Sequence, residues 1–187
     1  EEALKVLANG FLKHPRNTDL RELITEGRLE PVELYQQLLR IIYRFLFLMV
    51  AEERNLITDN PIYREHYSIT RLRRLAEDRM AYSDQEDLCL GLQTTFRIFQ
   101  DERIGQALGA PPLNGDLFDF SETRDLNSLY LRNRDLLKAL WHLSMYRESE
   151  RTQWRRINYG ALDVEELGSG YESLLDFAPY FSQQNGK

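Results

Sequence analysis

The chain has 187 residues, a net charge of −6 and a pI near 5.2. That balance excludes a protein that grips nucleic acid with its whole surface, because phosphate neutralisation calls for a basic one; any contact with DNA is confined to local patches. Hydrophobic residues make up 42% and aromatics 11%, which excludes extensive disorder.

A globule of this size buries roughly 70% of its extended surface, enough to fold without disulfides or metals. The single Cys89 excludes an internal disulfide and fits a reducing cytoplasm. No signal peptide is recognisable at the start, and the first residues are Glu1-Glu2 and not Met, as in a piece cut from a longer protein.

In chain order, the pattern predicts two short amphipathic helices, over 2–14 and 19–26, divided by His14-Pro15-Arg16-Asn17. The whole chain, 1–187, reads as a single helical domain, with residues 1–28 as its N-terminal helical appendage. A long helix then starts at Pro31, a favoured first-turn residue, and runs to about Asn55. Its apolar run Ile41–Val50, interrupted by Arg44, is about half of what a membrane span needs. It reads as a buried central helix, returned to solvent by Glu52, Glu53 and Arg54.

Ser68 caps a predicted helix over 69–81, with Ile69, Leu72, Leu75, Ala76 and Met80 on one face. Ser83 or Asp84 opens the next, with Leu88, Leu92, Phe96 and Phe99 inward. Residues 101–123, with Gly109, Pro111-Pro112 and Asn114-Gly115, read as a long irregular loop. Asn133 caps a helix that buries Leu136, Leu137, Leu140, Leu143 and Met145, and a short extended segment follows near 154–159. The capping box Asp163…Glu166 opens a last helix over 163–177, whose apolar stripe is Val164, Leu167, Tyr171, Leu174 and Leu175. The expected fold is an all-α, irregular multi-helix bundle around the 31–55 helix.

The search for chemistry yields no catalytic, cofactor or metal residue. Asn60-Pro61-Ile62-Tyr63 approaches the Asn-Pro-Pro-Tyr with which amino-methyltransferases hold a flipped base. It has Ile in third place and follows a helix, so it reads as a turn. His14, His66 and His142 lie far apart, without ligand spacing. The pairs Glu52-Glu53, Glu86-Asp87 and Glu165-Glu166 fall at helix ends, where acids serve the macrodipole or mark the solvated side. Cys89 sits between leucines as inert core.

Two arginine groups remain. Arg64, Arg71, Arg73, Arg74 and Arg79 form the first; Arg147, Arg151, Arg155 and Arg156 flank Trp154 in the second. Arginine beside an aromatic can hold phosphates and bases. Interleaved acids, including a helical Arg73–Glu77 pair, equally allow solvated helix faces. The contact candidates, to DNA or to a neighbouring domain, are Arg71, Arg74, Arg151, Trp154 and Arg155.

The segment from Arg156 to Phe177, with Ile-Asn-Tyr-Gly-Ala-Leu-Asp-Val-Glu-Glu-Leu-Gly-Ser-Gly-Tyr-Glu-Ser-Leu-Leu-Asp between, resembles a known region. It is similar to the helix that precedes the methyltransferase domain in type IIG restriction-modification enzymes and related phage-defence methylases of bacteria. Three further blocks agree in order: Leu38–Arg54 ending Ala51-Glu52-Glu53-Arg54, Asn60–Ser68, and Pro112–Phe118. The likeness spans residues 30–178. Asp116 departs from a usual Gly, and Gly170 stands in a helix interior, where Gly costs about 1 kcal/mol relative to Ala. The family's Tyr-Thr-Pro entry, cofactor loop and Asn-Pro-Pro-Tyr have no counterparts among the 187 residues, so no catalytic role carries over.

The resemblance implies a non-catalytic helical connector in a cytoplasmic adenine-N6 DNA methyltransferase, with S-adenosylmethionine as the parent's cofactor and an endonuclease as a possible companion activity. It implies the methyltransferase domain and duplex DNA as partners, and no membrane. An uncovered apolar face on the 163–177 helix would allow a dimer. The residues alone leave two alternatives open: a free-standing helical protein-interaction module, or a DNA-binding helical module.

Overall fold

The fold is all-α, as the helical periodicity predicts. A computed structural model describes residues 1–110 and 116–162, and seven α-helices account for most of them: α1 (Glu2–Lys13), α2 (Thr18–Thr25), α3 (Pro31–Glu53), α4 (Ile69–Glu77), α5 (Asp87–Gln100), α6 (Glu102–Ala107) and α7 (Asn133–Ser144). Two-residue strands β1 (Met145–Tyr146) and β2 (Arg155–Arg156) form an antiparallel hairpin, pairing Met145 with Arg156 and Tyr146 with Arg155. The expected 163–177 helix and its apolar face lie outside the described residues, as does most of the Pro112–Phe118 block.

Helix α3 is the spine. Pro31 occupies its first turn, and Glu30 and Glu33 form a reciprocal capping box, the Glu33 carboxylate accepting from the Glu30 N–H at 3.2 Å. By length and composition α3 could cross a membrane, but twelve of its residues are buried by the rest of the fold, as in a core helix. Phe45, Leu48 and Met49 are fully enclosed. Asn55 ends the helix in the left-handed region (φ 56°): the Leu56 N–H reaches the Ala51 carbonyl and the Asn55 N–H that of Glu52, a Schellman cap with Asn in the place Gly usually takes.

Arg44, the charge inside the apolar run, is 1% exposed. Its guanidinium donates to the Leu117 and Asp119 carbonyls at 2.7 and 2.8 Å and lies over Phe96 and Phe118. Burial pulls its pKa down to about 10, so it stays charged at neutral pH. Phe118 in turn packs edge-on to Phe47 and Phe96. Arg44 thus pins the 117–119 segment over α3.

Five sequence expectations about these elements need correction. Residues 1–28 are no appendage: Leu7, Phe11 and Leu20 are core residues, α1 packs on α7 and α3, and Asn17 is tied to the Tyr130 backbone in both directions. The fourth helix stops at Glu77, because Asp78 turns extended and its carboxylate accepts from the Met80 N–H instead; Met80, expected inward, is 90% exposed. The fifth helix opens at Asp87 and not at 83–84, since the Ser83 and Gln85 carbonyls accept from Arg134 and Asn133. The 101–123 stretch is not wholly irregular: it holds α6, with Asp101 accepting from the Arg103 N–H, and two short 3-10 turns. At the end of α7, Leu143 and Met145 are only half-buried.

Candidate functional site

The C-terminal end of α3 is a junction for three other segments. Glu52 does not return the helix to solvent. One carboxylate oxygen accepts from Tyr63 Oη and the Ile69 N–H, each at 2.8 Å, and the other from the Thr70 N–H at 2.8 Å. The acid at the end of α3 therefore caps the start of α4, where negative charge meets the positive end of the helix dipole. Burial raises the Glu52 pKa, opposed by the hydrogen bonds from Thr70, Ile69 and Tyr63.

Glu53 accepts from Arg73 and from the Gly160 N–H at 2.8 Å, while Arg54 donates to the Gly160 and Leu162 carbonyls. Consecutive residues Glu52, Glu53 and Arg54 so bind the 63–70 segment, α4 and the 158–162 segment to one helix end.

Asn60-Pro61-Ile62-Tyr63, expected as a turn, opens a short helical segment. Asn60 Oδ1 accepts from the Ile62 N–H at 2.9 Å, and a π-helical turn (Tyr63–Tyr67) follows. Tyr63 is 1% exposed, edge-on to Phe99, and so is not presented for stacking on a base. The turn forms one wall of an open cleft of about 460 Å³, with Asn55, Thr58, Arg64, Thr70 and Arg74 among its lining.

The first arginine group divides. Arg73 is buried, not surface-paired with Glu77: it bonds Glu53, Ser144 Oγ at 3.1 Å and the Ile157 carbonyl at 2.9 Å, and lies over the Tyr159 ring. Its position has a sequence signal, since Ile69, Leu72, Arg73 and Ala76 follow the i, i+3, i+4, i+7 pattern of an inward face. Arg64 pairs with Asp59 at 2.6 Å. Among the described residues, Arg71 and Arg74 form no side-chain hydrogen bond or ion pair, Arg71 half-buried and Arg74 exposed at the cleft.

The second group sits on the β1–β2 hairpin. Trp154 is 43% exposed, its ring 4.4 Å from Trp141 between centroids, with the Arg147 guanidinium 4.6 Å from its centre. Arg151 and Arg155 are exposed, Arg155 only 3.8 Å from an equally exposed Glu148. Arg156 pairs with Glu77 of α4. That pairing joins the two groups: residues three apart on a helix are neighbours, so Arg71, Arg74 and Glu77 form one strip, which Arg156 continues into the hairpin. Of the five predicted contact residues, Arg71 and Arg74 share this strip, Arg151 and Trp154 lie in the hairpin it leads to, and Arg155, next to Arg156 on β2, points to the opposite side of that strand. Comparison with protein-family models, with curated proteins and with solved structures finds no match.

His14, His142 and Cys89 take part in packing. Among the described residues no three His, Cys, Asp or Glu side chains gather in a metal-binding group. His14 is 3% exposed; its Nε2 lies 3.0 Å from Glu86, its Nδ1 accepts from the Arg16 N–H, and its ring stacks on Tyr130. Burial lowers its pKa, against the pull of Glu86. His142 packs edge-on to Trp141. The buried Cys89 thiol is pushed up to about 12, which leaves it unreactive at neutral pH.

Proposed function

We propose that this chain is the non-catalytic helical connector of a bacterial restriction-modification or phage-defence DNA methyltransferase, one that methylates adenine N6 with S-adenosylmethionine in the cytoplasm. One observation carries the reading. Three of the four blocks in which the sequence resembles that family meet at the end of α3. Glu52, Glu53 and Arg54 supply the junction; Tyr63 of the second block donates to Glu52; the Gly160 N–H donates to Glu53, and the Gly160 and Leu162 carbonyls accept from Arg54. Motifs that lie about 100 residues apart along the chain would have a common reason to recur together if their task is to hold the 158–162 segment rigidly on the spine.

In this reading the chain supplies position and the following methyltransferase domain supplies chemistry. The catalytic domain must present its pocket to a base flipped from the duplex, and misplacement by about 1 Å can cost on the order of a hundredfold in rate. The test is made on the complete gene product, by following transfer of labelled methyl groups from S-adenosylmethionine to adenine in duplex DNA. We expect transfer, and we expect Glu53→Gln with Arg54→Ala to lower kcat while cofactor affinity is unchanged. A complete product that neither binds S-adenosylmethionine nor methylates DNA would overturn the reading.

A further inference from the structure

We propose that the arginine strip from α4 to the β1–β2 hairpin binds the phosphate backbone of duplex DNA. The hairpin and its turn, residues 145–156, carry four arginines against two glutamates, in a chain whose net charge is −6. The cations are also available. Among the described residues Arg71, Arg74 and Arg151 hold no carboxylate, whereas Arg64, which lines the cleft with Arg74, and Arg16, Arg28 and Arg134 elsewhere each do. Guanidinium N–H forks without an internal acceptor suit bidentate contact with phosphate oxygens.

Two features order this surface in advance. The Glu77–Arg156 pair and the Arg73–Ile157 bond clamp β2 to α4, so the two arginine groups cannot drift apart. Trp154, braced by Trp141, holds the Arg147 guanidinium over its ring, which limits the side-chain entropy lost on binding. Arg and Trp are also enriched in protein interfaces, so a protein partner is the reading that a lack of duplex binding would indicate. The choice of DNA among polyanions rests on the connector reading above.

The experiment is fluorescence anisotropy of a labelled short duplex titrated with this chain over a series of salt concentrations. Tight binding at low salt is expected to weaken linearly in log–log form, the slope counting the phosphates neutralised. Arg71→Ala, Arg74→Ala and Arg151→Ala together should weaken binding on the order of tenfold or more at low salt and flatten the slope by roughly one for each phosphate no longer neutralised. Arg28→Ala with Arg103→Ala, away from the strip, should change neither. Glu148→Lys with Glu150→Lys should tighten binding, a gain that no folding defect can mimic.

No binding at low salt, equal weakening in the remote double variant, or no gain from the lysines would each overturn the proposal. Methyl transfer by the complete gene product would in those cases leave the connector reading standing. Strip-dependent binding without any methyl transfer would remove that reading and keep this one.

Discussion

A guanidinium withdrawn from water stabilises a fold only if its donors find acceptors, and Arg73 meets that condition through Glu53, Ser144 and the Ile157 carbonyl. One side chain thereby joins α3, α4, the end of α7 and the segment after β2. Arg73→Leu keeps the apolar stem but leaves Glu53 without its cation and the Ile157 carbonyl without that donor. A fully buried pair broken on one side costs about 3–5 kcal/mol. Glu53 remains 23% exposed and keeps the Gly160 N–H, so about 2–3 kcal/mol is the expected loss. Arg73→Lys should fall between, since an ammonium cannot reach three acceptors set in different directions. Urea unfolding followed by circular dichroism measures both, and an Arg73→Leu midpoint equal to wild type would show that Arg73 does not stabilise the fold.

Among the elements, α3, α4, α5 and α7 are legible in the sequence because their apolar residues repeat every three to four positions. Their boundaries are less legible, because remote groups decide them. Asn133 illustrates this. An Asn ahead of an apolar run reads as the cap of its own helix, yet its Oδ1 accepts from the Leu88 N–H at the start of α5, and its amide donates to Ser83 and Asp87. It caps a helix that lies 45 residues away. The start of α5 therefore moves to Asp87, where the Asn133 side chain can reach it. Asn133→Ala should cost about 1–3 kcal/mol, the usual result of leaving buried donors and acceptors unpaired. The loss should concentrate at α5: amide hydrogen exchange of Leu88 and its neighbours should quicken while the middle of α3 keeps its protection. Uniform change across both helices would mean that Asn133 acts on global packing and not on the start of α5.

At the scale of the whole molecule, the all-α class and the central helix follow from local periodicity. The α3 junction and the arginine strip do not, because each depends on contacts between residues some 80–110 positions apart, such as Arg156 with Glu77 or Gly160 with Glu53. The same lack of long-range information makes residues 1–28 read as separable. In the fold, Gly10 lets α1 approach α7 so closely that a Cβ there would lie 3.0 Å from Asp135 Cβ. Leu7, Phe11 and Leu20 enter the common core, and both His14 and Arg16 reach Glu86 just ahead of α5. Burial of three such side chains contributes roughly 5–9 kcal/mol at about 1.5–3 kcal/mol each, a large part of the 5–15 kcal/mol or so that typically holds a domain folded. Deletion of residues 1–28 should therefore abolish cooperative unfolding and expose the apolar face of α7, not trim the molecule. Thermal melting by circular dichroism, together with binding of a hydrophobic dye, reports both effects. A truncated chain that melts cooperatively near the full-length temperature would show that the core formed by α3, α5 and α7 is sufficient without α1 and α2.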